Sequence, residues 1–260
     1  NEQWPGFLFY ASTEFTPVNP LWNDFGALNK YVAHVQSFLQ DGRSDNDILL
    51  YFPIFDIYAE YNGPMLEHFD AIDNRFDGTA FKTGAEKMLE SGYLFDYISD
   101  LQIKKTEVDG DFLRTEGNFY RTIVIPSCKY IPIETFMHII MLANNGATVI
   151  FYGTMPENVA GWADLEAKTS SFRNMKERLK FTETNNRSVA EASVGQGKIL
   201  MGNNIEDLLS YAGIQNESMN ASSLKCVRRA TNKGYNYFVV NTGDNPFACW
   251  ITLNVNGISA

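Results

Sequence analysis

The sequence predicts an open, mostly parallel α/β sheet with helices on both faces, followed by a short antiparallel β tail. Three observations predict it. The segments 47–53, 122–126 and 147–152 are apolar nearly throughout, as strands covered on both faces are. Segments with helical spacing of apolar residues alternate with them, which argues for a parallel sheet between two helical layers. Beyond about residue 222 the pattern changes to strand-like runs separated by Asn-Lys-Gly and Gly-Asp-Asn turns, the mark of antiparallel β. The chain accordingly divides into residues 1–44, a strand and a helix standing alone, residues 45–215, the α/β unit, and residues 222–260, the first strands of a β domain.

Each element has its own signal. Gly6–Ala11 reads as a buried strand. Phe25, Leu28, Val32, Val35 and Leu39 recur at one helical face, with Asn23 or Asp24 placed to cap the start and Gly42 just past the end. Asp47–Pro53 is the second strand. A long loop from Ile54 to about Asp77, rich in Asp, Tyr, Asn and Gly, follows it, and loops of that length are more often functional or packed than idle. Thr79–Ser91 reads as a helix ended by Gly92, and Leu94–Ile98 as a short strand. Val108–Arg121 is a hairpin excursion turning at Asp109-Gly110. Thr122–Pro126 is a strand, and Pro132 opens a helix carrying Phe136, Ile139, Ile140 and Leu142, stopped by Asn144-Asn-Gly146. Ala147–Tyr152, a polar helix over Leu165–Leu179, the strand Lys198–Met201 and the helix Ile205–Tyr211 complete the unit. In the tail, Leu224–Arg228, Tyr235–Asn241 and Phe247–Leu253 read as three strands.

Composition narrows the function. Of 260 residues, 45% are hydrophobic and 14% aromatic, enough for a large core or for surfaces that stack on flat or sugar-like ligands. The net charge of −10 makes nucleic acid a poor partner, since its binding rests on neutralising phosphates. It argues equally against an anionic membrane surface. No apolar run reaches the ~18 residues of a membrane-spanning helix. The chain begins Asn-Glu-Gln-Trp, without Met, so a processed product or a fragment is expected. Three glycosylation triplets start at Asn186, Asn216 and Asn220.

Few residues point to chemistry. Cys128, Cys226 and Cys249 show neither a CxxC nor a metal spacing with His, so no metal is implied, and Cys226 and Cys249 could pair only from neighbouring strands. Cys128 lies between a strand and a helix, where α/β folds place nucleophiles. A nucleophile elbow requires small residues two before and two after, however, and Pro126 and Tyr130 stand there. His34, His68 and His138 form no triad order. No phosphate loop follows any strand, and Gly195-Gln-Gly197 precedes one, so neither a nucleotide nor another cofactor is expected. Asp56, Glu60, Asp96, Asp100 and Glu157 lie near strand ends, as a glycosidase pair would, but solvated loop acids are the simpler reading. Phe52, Phe55, Tyr58 and Tyr61 invite sugar stacking, with loop packing as the blander account. Tyr10, Ser12, Glu14 and Trp22 suit the last β/α unit of a barrel, whose site lies at the strand's carboxyl end.

Several stretches resemble large bacterial glycoside hydrolases of the α-L-rhamnosidase type. Trp4–Ser12, Asn19–Asp24, Tyr31–Gln40 and Asp45–Pro53 are similar to the end of the catalytic barrel in that family. Gly92–Asp100, Tyr120–Pro126 and Asn145–Phe151 resemble the domain after it, whose architecture is glutamine-amidotransferase-like and flavodoxin-like. Arg228–Asn241 resembles the start of a following β domain. The resemblance implies a non-catalytic accessory portion of a carbohydrate-active enzyme. It would support the barrel and touch sugar through Tyr10, Glu14, Asp56 and Tyr58, with no catalytic residue of its own and a periplasmic or extracellular location. Two rivals stand beside it: a self-sufficient amidotransferase-like hydrolase using Cys128, and a carbohydrate-binding module acting through the loop from Asp56 to Asp77.

Overall fold

The computed structural model describes residues 15–17, 19–60 and 75–255. The predicted strand Gly6–Ala11, and with it Tyr10, Ser12 and Glu14, lies outside the described residues, as do Tyr61 and His68. In chain order the elements are α1 (Trp22–Leu39), β1 (Arg43–Ser44), β2 (Ile48–Tyr51), α2 (Ile54–Tyr58), α3 (Ala80–Ser91), β3 (Phe95–Ile98) and α4 (Asp100–Ile103). There follow β4 (Glu107–Asp109), β5 (Phe112–Arg114), β6 (Phe119–Tyr120), β7 (Thr122–Pro126), β8 (Tyr130–Ile131), α5 (Ile133–Asn144), β9 (Thr148–Tyr152), β10 (Asn158–Val159) and α6 (Leu165–Arg178). The last are β11 (Thr182–Glu183), β12 (Ala190–Val194), β13 (Gly197–Gly202), α7 (Ile205–Tyr211), β14 (Leu224–Thr231) and β15 (Gly234–Asn241).

The central sheet has seven strands in the order β11-β12-β13-β9-β7-β2-β3. The five from β13 to β3 are parallel, and β12 and β11 extend one edge antiparallel. Numbered along the chain, the parallel strands stand 2-1-3-4-5, so the winding reverses between β2 and β7. Alternation along each strand divides the core in two. Leu49, Tyr51, Ile123, Ile125, Val149 and Phe151 face α4, α5 and α6, where Ile103, Phe136 and Phe172 are buried. Ile48, Leu50, Val124 and Ile150 face α3 and α7, where Met88, Leu208 and Leu209 are buried. Helices therefore cover both faces, and all five residues of β7 are buried.

The termini of the helices follow local chemistry. Thr79 caps α3, its hydroxyl accepting the Lys82 N–H, and Gly92 closes it in the left-handed region at φ 81°. Ser99 and Gln102 form a capping box on α4. The turn between β12 and β13 is Gly195-Gln196, with Gly195 at φ 58°.

Several expectations are corrected. The stretch from Ile54 does not begin as loop: it opens with the short helix α2. The excursion before β7 is a three-stranded sheet, β4-β5-β6, rather than a simple hairpin. Strands β11 and β12 were not anticipated, because Ala190–Val194 alternates small and polar residues and lacks the apolar run of its neighbours. Phe247–Leu253 forms no strand, and β14 instead pairs on its other side with β1, which precedes the α/β unit. Helix α1 starts at Trp22, just ahead of the expected cap, and none of its residues is buried: Leu28 and Val32 stand 53% and 39% exposed.

Gly92 also joins two parts of the chain. A Cβ there would sit 2.3 Å from the Glu217 carbonyl oxygen, while the Gly92 carbonyl accepts the Glu217 N–H at 2.9 Å. Gly92→Ala is expected to lower the unfolding free energy by at least about 1–3 kcal/mol, the cost of a strained left-handed residue. Urea unfolding of the variant measures this, and an unchanged midpoint contradicts it.

Candidate functional site

Two regions of the sheet concentrate polar side chains. The first is the carboxyl edge, where open α/β sheets bind ligands. Asp56, on α2, accepts three backbone bonds: its two oxygens take the Lys129 N–H at 3.0 and 2.9 Å, and Oδ1 takes the Tyr130 N–H at 2.8 Å. Its carboxylate thus pins the turn after β7. Tyr58 stands two residues on, 73% exposed, with its ring edge-on to Phe55 at 5.9 Å. The other members of that aromatic group divide. Phe52 packs on Phe76 and Phe81 at 5.1 and 5.3 Å, which is ordinary core packing.

Of the other acids near strand ends, Asp100, Asp96 and Glu60 are engaged by neighbours, while Glu157 stands exposed. Asp100 accepts from the Tyr51 hydroxyl at 3.0 Å and the Thr135 hydroxyl at 2.7 Å through one oxygen. Asp96 accepts from Tyr120 at 2.9 Å, and Glu60 pairs with Arg75 at 2.5 Å. Burial and the charge of Asp100 push the Tyr51 hydroxyl well above its ordinary range. Cys128 is 5% exposed, and burial followed by Asp56, Asp100 and Glu157 pushes its thiol far up. A nucleophilic cysteine needs the opposite environment. His138 meets the Thr106 carbonyl oxygen at 2.8 Å. Among the described residues, no three His, Cys, Asp or Glu gather as a metal site, and all three cysteines are free.

The second region lies at the amino edge, where the sheet meets β1, β14 and the β4-β5-β6 excursion. A cavity of about 840 Å³ opens there, lined among others by Arg43, Asp45, Asp47, Phe112, Phe119 and Arg121. Arg228 forms its inner wall, 4% exposed, and bonds carboxylates from three directions. Nε meets Asp45 at 2.7 Å, Nη2 meets Asp47 at 3.0 Å and Nη1 meets Glu217 at 2.8 Å. Glu217, 1% exposed, also accepts from the Tyr237 hydroxyl at 2.8 Å and the Asn254 N–H at 3.1 Å. Burial alone would draw the Arg228 charge down, but Asp47 and Asp45 outweigh it and hold the guanidinium above its usual range. Sequence reasoning missed this group. The available signal was period 2: Leu224, Cys226 and Arg228 share one face of β14, and Leu224 is buried.

The comparisons with known proteins bear on the whole chain. The model of glycoside hydrolase family 106, alpha-L-rhamnosidase, matches residues 1–260. The chain belongs to this family. A Formosa agariphila protein provisionally named a beta-glucuronidase is 26% identical over 243 residues, covering 91% of the chain and 18% of that relative. A solved rhamnosidase from Novosphingobium sp. PP1Y shares the fold with a TM-score of 0.61 at 20% identity, over 88% of this chain and 20% of that one. A beta-galactosidase from Bacillus circulans sp. alkalophilus gives a TM-score of 0.50 at 8% identity, over 87% and 40%. The family member thus spans about one fifth of the first two relatives it matches. Among its described residues, no helix is long and apolar enough to cross a membrane.

The thiols and phenols give two measurable consequences. In the folded chain iodoacetamide at pH 8 is expected to label exposed Cys249 first, Cys226 slowly and Cys128 slowest, with all three equal in urea. Fast labelling of Cys128 contradicts its assigned burial. Burial pushes Cys226 from 9.0 up to about 11 and Tyr120 from 10.0 up to about 12. Both groups bind their protons more tightly when folded, so their stabilisation is complete below pH 9 and is lost as pH rises towards 12. Urea midpoints should therefore fall between pH 9 and 12, and less steeply in Tyr120→Phe.

Proposed function

We propose that this chain is a non-catalytic accessory part of an α-L-rhamnosidase-like glycoside hydrolase, supporting a catalytic barrel and contributing to the handling of sugar. The observation that carries this reading is the state of the carboxyl edge. Asp56, Asp100 and Glu60 are engaged by backbone amides, hydroxyls and an arginine, Glu157 stands exposed, and Cys128 is buried with a raised pKa. A glycosidase requires two carboxyl groups facing one bond, about 5–10 Å apart and open to substrate. The edge offers Asp56 and Asp100 to the protein itself.

The supporting role rests on α1. A helix with apolar residues along one face buries that face in a complete fold. Here Phe25, Leu28, Val32, Val35 and Leu39 remain without a buried member among the described residues. An apolar face of this kind is what a helix of a barrel turns towards its strands. Residues 1–44 are accordingly read as the end of a barrel-like unit and residues 45–215 as a flavodoxin-like, glutamine-amidotransferase-like domain. Residues 222–260 are read as the start of a β domain. The 2-1-3-4-5 order of the parallel strands supports the second assignment. The sugar-contact set is Tyr10, Glu14, Asp56 and Tyr58, and of its two described members Tyr58, exposed beside Phe55, is the better placed to meet a ligand.

The chain alone is expected to release no product from aryl α-L-rhamnosides at enzyme concentrations where a whole enzyme of this family turns over readily. Turnover that disappears on replacing one Asp or Glu of this chain would contradict the reading.

A further inference from the structure

The amino-edge cavity has donors left over. Its carboxylates are committed: Asp45, Asp47 and the buried Glu217 behind them hold Arg228, and Asp47 also accepts from Arg121 Nε at 3.1 Å. Arg43 and Arg121 are different. Both are exposed, Arg121 by 53% of its side chain. Arg43 gives one bond, from Nη1 to Asn118 at 2.9 Å, and among the described residues no carboxylate pairs with it. A guanidinium carries five N–H donors in a fixed fork, so each arginine presents several that bond nothing among the described residues.

The two are held in place by aromatic rings. Arg43 lies over Phe119 at 5.5 Å and Arg121 over Phe112 at 5.3 Å. The rings meet each other edge-to-face at 6.4 Å and are 39% and 38% exposed. Contact with a ring restrains each guanidinium without consuming its N–H donors. The result is a pair of oriented cations flanking an apolar patch, inside a cavity of about 840 Å³, on a chain of net charge −10. The cavity's volume suits a small ligand. Its donors call for a planar or tetrahedral oxyanion, and its rings for the C–H face of a sugar.

We propose that this cavity binds an acidic saccharide, its carboxylate or sulfate oxyanion at Arg43 and Arg121 and its ring against Phe112 and Phe119. The saccharide part rests on the carbohydrate-handling reading above, while the anion part rests on the cavity alone. The site lies at the amino ends of the sheet strands, opposite the edge that carries Asp56 and Asp100.

Calorimetric titration of the full chain tests it, with an oligogalacturonate, a sulfated disaccharide, a neutral oligosaccharide and inorganic sulfate as probes. At least one acidic saccharide is expected to bind ten times more tightly than the neutral sugar and inorganic sulfate, and to weaken as salt is raised. Binding of the uronate alone assigns the carboxylate, and of the sulfated sugar alone the sulfate ester. Arg43→Gln with Arg121→Gln should weaken binding at least tenfold. If that variant melts early, Arg43→Lys with Arg121→Lys, which keeps both charges but loses both forks, should still bind several-fold more weakly than the unaltered chain. Unchanged affinity in a folded variant, equal binding of the neutral sugar or inorganic sulfate, or no binding at millimolar concentration would overturn the proposal. None of these results touches the absence of turnover, and turnover by the chain would contradict the accessory role whatever the titration shows.

Discussion

The guanidinium of Arg228 sits where three stretches of chain converge. Asp45 and Asp47 come from the link between β1 and β2, Glu217 from the segment ahead of β14, and the Asn254 carbonyl from beyond β15. Removing Arg228 and Glu217 from water costs several kcal/mol for each ion, and only close pairing with full hydrogen bonding, here completed by the partly exposed Asp45 and Asp47, offsets that. The geometry meets the condition: Glu217 takes three donors and Arg228 has a partner on every nitrogen. Such a group contributes less to net stability than to position. It allows one arrangement of β14 and β15 against the sheet and penalises others, because any shift leaves a buried charge without its partner.

That constraint shapes both ends of the molecule. It anchors Asp47 directly before β2, whose four residues are all buried, and Asp47 in turn receives Arg121 directly before β7. The two strands on either side of the winding reversal are therefore tied at their amino ends to the tail. The carboxyl ends are tied separately, by Asp56 on the turn after β7 and by Asp100 between Tyr51 and Thr135. A sheet clamped in this way at both edges is suited to holding neighbours in a fixed relation. This accords with the supporting role proposed above.

Much of the fold was legible in the sequence because its signals are local. Continuous apolar runs marked β2, β7 and β9, and Thr79 and Gly92 marked the ends of α3. The edge strands β11 and β12 were not legible, since their side chains are polar or small and their pairing depends on β13. Phe247–Leu253 has the residues of a strand but pairs with neither edge of the β1-β14-β15 sheet, and no local signal foretells that. The polar sites were the least legible. Asp56 reads identically whether it meets a sugar or two backbone amides, and only the position of residues 129 and 130, more than 70 places on, decides. Arg43, Arg121 and Arg228 are 78 to 185 residues apart in pairs, and no spacing links them.

The central claim is that the tail and the sheet form one body through Arg228. Native-state hydrogen exchange, comparing the chain with Arg228→Met, tests it most directly. The amides of β14 are expected to exchange in the unaltered chain with the same free energy as those of β7 and β9. In the variant the β14 amides should lose about 3–5 kcal/mol of protection, the usual cost of breaking a buried ion group, while those of β9 change less. Equal protection of β14 in the two proteins would contradict the account.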